Sequence, residues 1–269
     1  VANLASLGKH MEAFYDALAA VDKIGYVVDL PIDRSGGERT DWTPGSPQEI
    51  SVEGLRFGYD DTRPVFERVT FLIEPGERVA LVGPKGSGTS TLMNILVGAH
   101  VPQAGAAKVG GIDVRDWDLH ALRRGVALVR GQEIVEGTVL ENIRVGRDEI
   151  TRQQVRDALR DVGLLDDIVR LPDGLDAELM FGGRPLSDSQ RSRLVLARAI
   201  VGKPGILLLD EHLENLEPQT ASELTDFVFD RSNPWTLVVA SHETAVLQRC
   251  DRRIDMSDFG SVRRGVTGD

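Results

Sequence analysis

Gly83-Pro84-Lys85-Gly86-Ser87-Gly88-Thr89-Ser90-Thr91 is the stretch that decides how this chain is read. The phosphate-loop pattern is G-x-x-x-x-G-K-[ST]. Gly83, Gly88 and Ser90 meet it, and Thr89 stands where the lysine belongs. Glycines let successive backbone N–H groups turn inward at a helix N-terminus, where an anion is favoured. The flanks agree. Val79-Ala80-Leu81-Val82 is a short buried strand by length and β-branching, and Leu92, Ile95 and Leu96 recur at helical spacing before a stop at Gly98. Strand, glycine loop and helix predict a phosphate cradle built from Gly83, Gly86, Ser87, Gly88, Thr89, Ser90 and Thr91. Lys85 lies within the loop but out of register for the missing contact, and adds a diffuse positive field. The competing readings are a glycine-rich turn without a ligand, and a dinucleotide fingerprint. The latter fits less well because Thr91 takes the place of its third glycine.

Composition sets the outer bounds. The chain has 269 residues, 41% apolar and 27% charged, which suits a soluble globular protein with a sizeable core. A net charge of −11 argues against a nucleic-acid partner. Cys250 is the single cysteine, so there is no internal disulfide and no cysteine metal site. No apolar run approaches a membrane span, and no signal-peptide pattern is present. The chain begins at Val1, which reads as a fragment or a processed product. Leu4, Leu7, Met11, Phe14, Leu18 and Val21 predict a helix within residues 1–30. A polar linker from Pro31 to Pro47 follows, so this helix is read as belonging to something upstream.

A second motif closes a strand. Ile206-Leu207-Leu208-Leu209-Asp210-Glu211 is four aliphatics ending in two carboxylates, a buried parallel strand whose acids lie at the edge where open α/β sheets bind ligands. Beside a phosphate loop, Asp210 and the Ser90 hydroxyl are expected on Mg²⁺, with Glu211 orienting or deprotonating the attacking water. Between the two motifs runs Leu186-Ser187-Asp188-Ser189-Gln190-Arg191, followed by the helical stretch Leu194–Ile200. Here the chain resembles the nucleotide-binding domain of an exporter-type ABC transporter, whose signature L-S-G-G-Q precedes such a helix. Three further stretches carry the resemblance. Phe57-Gly58-Tyr59 is similar to the segment whose aromatic stacks on adenine. His242, after Leu237–Ser241, is similar to the switch histidine on the γ-phosphate. Leu171–Asp176 is similar to a stretch of exporter-type members.

The resemblance covers residues 48–265. It implies an α/β fold: a P-loop NTPase (RecA-like) core with a mixed sheet, an antiparallel β subdomain and a helical signature subdomain at about 133–200. It divides the chain into an upstream helix and linker (1–47) and the nucleotide domain (48–269). It implies ATP and Mg²⁺ as ligands, with Tyr59, the loop residues, Ser187 and Gln190 on the nucleotide, and Glu211 and His242 as the catalytic pair. The implied partners are a membrane-spanning domain, of the same or another chain, and a second nucleotide-binding domain, at the cytoplasmic face of the inner membrane. The implied reaction is ATP hydrolysis coupled to transport.

The departures fall on the chemistry. Losing the charged hydrogen bond of the lysine costs roughly 1.5–3 kcal/mol, or about tenfold to over a hundredfold in affinity. The signature has Asp188 and Ser189 in place of two glycines, which puts a carboxylate where a partner's phosphates would lie. At about 4 Å and an effective dielectric near 20, two like charges repel by about 4 kcal/mol. Ser187 and Gln190 still form an S-x-x-Q capping box. Arg130 stands at the position of the family's glutamine that senses Mg²⁺, and arginine has donors only. Glu217 replaces the aspartate of a Leu-Asp pair. The expectations are therefore an ATP-binding motor of weak activity, a degenerate non-hydrolysing half of a transporter, or, third, a soluble ATPase of the same family.

Overall fold

The structure is a computed structural model that describes residues 36–60, 63–214 and 216–259, together with Tyr15 and Val21. The chain divides into two units, Val1–Ser35 and Gly36–Asp269. Apart from Tyr15 and Val21, the helix expected within residues 1–30 lies outside the described residues. Residues 36–47, expected as part of a linker, are seated on the second unit. Gly45 N–H donates to the Lys203 carbonyl at 2.9 Å and Asp118 N–H to the Arg39 carbonyl at 2.9 Å. Trp42 meets Trp117 at 5.6 Å between ring centroids. Trp42 also lies over Gly125, where any Cβ would come within 2.1 Å of its ring.

In chain order the strands of the second unit are β1 (Ile50–Gly58), β2 (Pro64–Ile73), β3 (Arg78–Val82), β4 (Ala104–Val109), β5 (Ile112–Asp113), β6 (Val126–Arg130), β7 (Gly137–Thr138), β8 (Glu178–Leu179), β9 (Ile206–Asp210), β10 (Thr236–Ala240) and β11 (Arg252–Asp255). They form an antiparallel sheet β2-β1-β4-β5, a sheet β11-β3-β10-β9-β6 and a small pair β7-β8. Every pairing in the five-stranded sheet is parallel. The fold is the expected α/β combination, with its parallel and antiparallel parts held in separate sheets.

The five-stranded sheet is covered on both faces, and its residues alternate between two cores as strand geometry requires. Leu207, Leu209, Leu237, Val239, Ala80 and Val129 point into one core, shared with Leu194, Leu196, Ile143 and Val155 of the helical part. Ile206, Leu208, Val238, Ala240, Val79 and Leu81 point into the other, shared with Leu92, Ile95 and Leu96 of the helix Thr89–Leu96 and with Ile50, Val52 and Leu55 of β1. The helical part comprises Val139–Arg144, Arg152–Asp161, Leu165–Arg170 and Asp188–Ile200. Two of these helices begin with capping boxes at Thr138 and Thr151, and the last at Ser187. Each box satisfies two N-terminal donors that would otherwise be orphaned.

One charged side chain is built into the base of this sheet. Arg78, the first residue of β3, is 1% exposed. Its guanidinium donates to the carbonyls of Gly76, Trp235, Asp230 and Asn233. It therefore ties together the turns that feed β3 and β10, although the Gly76 carbonyl also accepts from Arg231 and the Asp230 carbonyl from the Asn233 N–H. Arg78→Met, which keeps the apolar stem, should destabilise the unit by about 3 kcal/mol and lower the melting temperature by roughly 6–12 °C. Calorimetric unfolding checks this.

Candidate functional site: a phosphate-loop cleft

Register explains what converges at the C-terminal edge of the parallel sheet. Ala240 is opposite both Leu81 and Asp210, and Arg130 is opposite Asp210. The ends of β3, β10, β9 and β6 thus lie side by side, and the loop that follows β3 folds over them. By the period of two, Arg130 and Asp210 project on the face that packs against the helix Thr89–Leu96, as Val126 and Ile206 do. Tyr59, Val65, residues 83–91, Asp210, Glu211, Ser241 and His242 line a cleft of about 780 Å³ at this edge. This volume is in the range of small-molecule sites, roughly 300–1,000 Å³.

The loop has the form its glycines permit. Gly86 and Gly88 have φ of 87° and 94°, in the left-handed region. A Cβ on Gly88 would come within 2.3 Å of Phe66 Cε1, so this position has no room for a side chain. Gly88 is the N-cap of the helix Thr89–Leu96, and no side chain caps that helix. Its first N–H groups therefore face the cleft uncapped, at the positive end of the helix dipole. An anionic ligand fits this arrangement. The Thr89 hydroxyl lies 3.2 Å from Ser87 Oγ, within the loop itself. Lys85 lines the cleft and is exposed.

The acidic side of the cleft is held by an ion pair. Asp210 is 5% exposed, and its two oxygens accept from Ser90 Oγ at 3.1 Å and from Arg130 Nε at 2.6 Å. The same guanidinium reaches, through Nη2, the Ser90 carbonyl and Asn94 Oδ1, each at 3.4 Å. Ser90 and Asp210 are hard oxygen donors of the kind Mg²⁺ takes. As arranged they fit the ion poorly, because the third group of the constellation is the Arg130 guanidinium, and a divalent ion on Asp210 would sit beside that fixed positive charge. Glu211, just beyond β9, has φ of 55° and is exposed. Left-handed backbone costs a non-glycine residue about 1–2 kcal/mol, and here the Glu211 N–H bond to the Ala240 carbonyl, at 3.1 Å, holds the turn. Glu214, which sequence reasoning missed, organises the opposite wall. Its Oε1 accepts from Ser241 Oγ at 3.0 Å and from the His242 N–H at 2.7 Å. His242 itself is exposed.

Tyr59 is 66% exposed and its hydroxyl is 3.1 Å from Thr91 Oγ1. Phe57 meets it edge-on at 5.2 Å, and His100 stacks on Phe57 at 5.2 Å. His100 carried no signal in the sequence; this platform of three rings is what gives it a place.

Ser187 and Gln190 do not line the cleft. They hold each other in the capping box, with Ser187 N–H donating to Gln190 Oε1 at 2.9 Å. Asp188 is 81% exposed but pairs with Arg191 one turn on, which offsets part of the negative charge counted against it above. Ser189 Oγ is 2.7 Å from Thr220 Oγ1. Behind the cleft, Gln132 reaches Ser192 of the same helix at 2.7 Å.

The family profile described as "ABC transporter" matches residues 66–214. The chain belongs to the ABC transporter family. It is 34% identical over 251 residues to an ATP-dependent lipid A-core flippase of Burkholderia orbicola, covering 92% of this chain and 42% of the flippase. It is 31% identical over 273 residues to a mycobactin import ATP-binding/permease protein of Mycolicibacterium thermoresistibile, covering 98% of this chain and 30% of that protein. A bacterial Atm1-family ABC exporter solved with ATP bound superposes with a TM-score of 0.76 at 26% identity, covering 90% of this chain and 42% of that one. This ABC domain thus spans less than half the length of the relatives it matches. Among the described residues no helix is long and apolar enough to cross a membrane.

In this ABC domain the residue after Glu211 is a buried histidine. His212 is 4% exposed, with Nδ1 3.2 Å from the Gly131 carbonyl. Burial pushes its pKa below the ordinary value, and the Gly131 carbonyl opposes this in part. The folded state keeps His212 neutral, while the unfolded chain takes up a proton near pH 6.5. Its contribution to stability is therefore complete above that pH and is lost as pH falls through it, by up to about 1.4 kcal/mol per pH unit. His212→Gln should flatten this dependence. Melting temperatures at about pH 8 and about pH 5.5 should differ less in the variant than in the native chain.

Proposed function

We propose that this chain is the ATP-binding domain of an exporter-type ABC transporter in which nucleotide binding outlasts efficient hydrolysis. The observation that carries this reading is the cleft itself. The backbone nest, Asp210, Glu211 and His242 converge as an ATP site requires, while Thr89 supplies no charge where the phosphates need one. The domain takes up ATP through the N–H groups of residues 86–91, with Tyr59 against the base. In this reading Glu211 accepts the proton of an attacking water, and His242 contacts the terminal phosphate. Hydrolysis depends on charge stabilisation as the phosphoryl group transfers, and that is the part the chain has lost.

The domain works with a membrane-spanning partner and a second nucleotide-binding domain at the cytoplasmic side of the membrane. Relatives whose names specify a flippase and an import protein share its sequence, which supports a part that supplies nucleotide energetics and leaves cargo to other segments. Ser187 and Gln190 would meet nucleotide only across such a partner. The neighbouring Asp188–Arg191 pair gives that surface a mixed charge.

Two measurements test the reading. Thr89→Lys should tighten ATP binding by about tenfold or more in calorimetric titration, the worth of one charged hydrogen bond. An unchanged affinity would mean the backbone nest suffices. Phosphate release by the purified native chain should stay near background. Efficient turnover that disappears in Glu211→Gln would overturn the proposal and establish a working motor.

A further inference from the structure

We propose that the Arg130 guanidinium takes the place of the divalent cation in this cleft, so that the chain holds a nucleoside triphosphate without metal. The inference rests on the nucleotide-binding reading above and concerns the chemistry of the same site.

The argument begins with the donor set. A hard cation here would take oxygen donors from Ser90, Asp210 and the residue at the end of β6. Ser90 Oγ donates to one Asp210 oxygen at 3.1 Å, and Arg130 Nε donates to the other at 2.6 Å. The residue at the end of β6 is itself Arg130, which has five donors and no acceptor. A metal ion on Asp210 would share a carboxylate that is 5% exposed with the guanidinium, and the repulsion between the two cations would set against its binding.

The guanidinium is also built in and oriented. In-register pairing of β6 with β9 sets Arg130 directly opposite Asp210. Nη2 is steered by the Ser90 carbonyl and Asn94 Oδ1, both on the phosphate-loop helix and each at 3.4 Å. Among the described residues no hydrogen bond engages Nη1, and the side chain is 45% exposed. A planar fork with an unengaged donor beside a phosphate cradle is suited to phosphate oxygens. Asp210 then acts as a positioning residue for a permanent cation. The charge balance is consistent: the loop lost one cation at Thr89, and the strand end carries one at Arg130. The two are not equivalent in place, since Arg130 approaches from the Asp210 side and not from within the loop.

The test is ATP binding to the full chain, measured calorimetrically in excess EDTA and in excess magnesium. The native chain should bind in EDTA, with magnesium changing the affinity by less than about threefold. Arg130→Gln should weaken metal-free binding by about tenfold or more, the worth of a charged hydrogen bond, and should make binding magnesium-dependent. Arg130→Lys should retain part of the metal-free affinity. Thermal unfolding of each variant confirms folding; if Arg130→Gln does not fold, the native comparison with and without magnesium decides alone. Binding only with magnesium overturns this inference and leaves the nucleotide-binding reading standing. An Arg130→Gln variant that folds and keeps its metal-free affinity also overturns it. No binding under either condition overturns both.

Discussion

The structure depends on one constraint, the in-register parallel ladder formed by β3, β10, β9 and β6. Because Leu81, one residue before the end of β3, is level with Ala240, Asp210 and Arg130, which end their strands, the loop, the carboxylates and His242 are delivered to a single edge. The ladder is buried on both faces, so a slip of one residue would exchange the two cores and turn Arg130 and Asp210 to the wrong side of the sheet. Each strand's apolar alternation therefore fixes the site as firmly as the site's own residues do. Arg78 secures the opposite end of the ladder through four backbone carbonyls, which makes the base of the sheet rigid where the chemistry does not occur.

The loop and the acidic strand were legible because each is a local pattern. Glycines at fixed spacing have one backbone use here, and four aliphatics before Asp210-Glu211 have few alternatives to a buried strand. The Ser187–Gln190 capping box was likewise readable from three-residue spacing, and it forms. Contacts that join distant segments were not readable. Nothing in the sequence marks Glu214 as the acceptor for Ser241 and His242, or His100 as the third ring beside Tyr59. Those arise when a turn after β9 meets a turn after β10, and when the helix after the loop ends under β1. Position 130 is intermediate. The resemblance located it at the family's glutamine position, and only the register of β6 against β9 showed that its partner is Asp210.

The departures from the family pattern have different physical weight. Asp188 looked costly as an isolated carboxylate, but Arg191 on the next turn accompanies it, and the pair is exposed enough for solvent to screen the remainder. Thr89 has no such compensation within the loop, since its hydroxyl is taken up by Ser87. Arg130 is the departure that changes the site most, because it engages a nearly buried carboxylate and converts an acidic corner into a neutral pair. On the proposed reading, a scaffold that keeps its helix caps, its nest and its left-handed Glu211 turn while altering the charged groups keeps the means of holding a phosphate chain and alters the means of cleaving it.

Holding and cleaving make different demands on charge. Binding needs positive potential spread along the phosphates in the ground state, which backbone N–H groups and one fixed guanidinium can supply. Cleavage needs additional stabilisation that appears only as charge shifts between the terminal phosphate and its leaving group. Thr89 offers no charge within the loop for that shift, and Arg130 is held by Asp210, Ser90 and Asn94. Its contacts would be made equally well before and during the reaction, and uniform binding of that kind raises affinity without raising the rate. On the proposed reading, the position of Arg130, and not the number of cations near the loop, is therefore what would separate a nucleotide-holding domain from a motor.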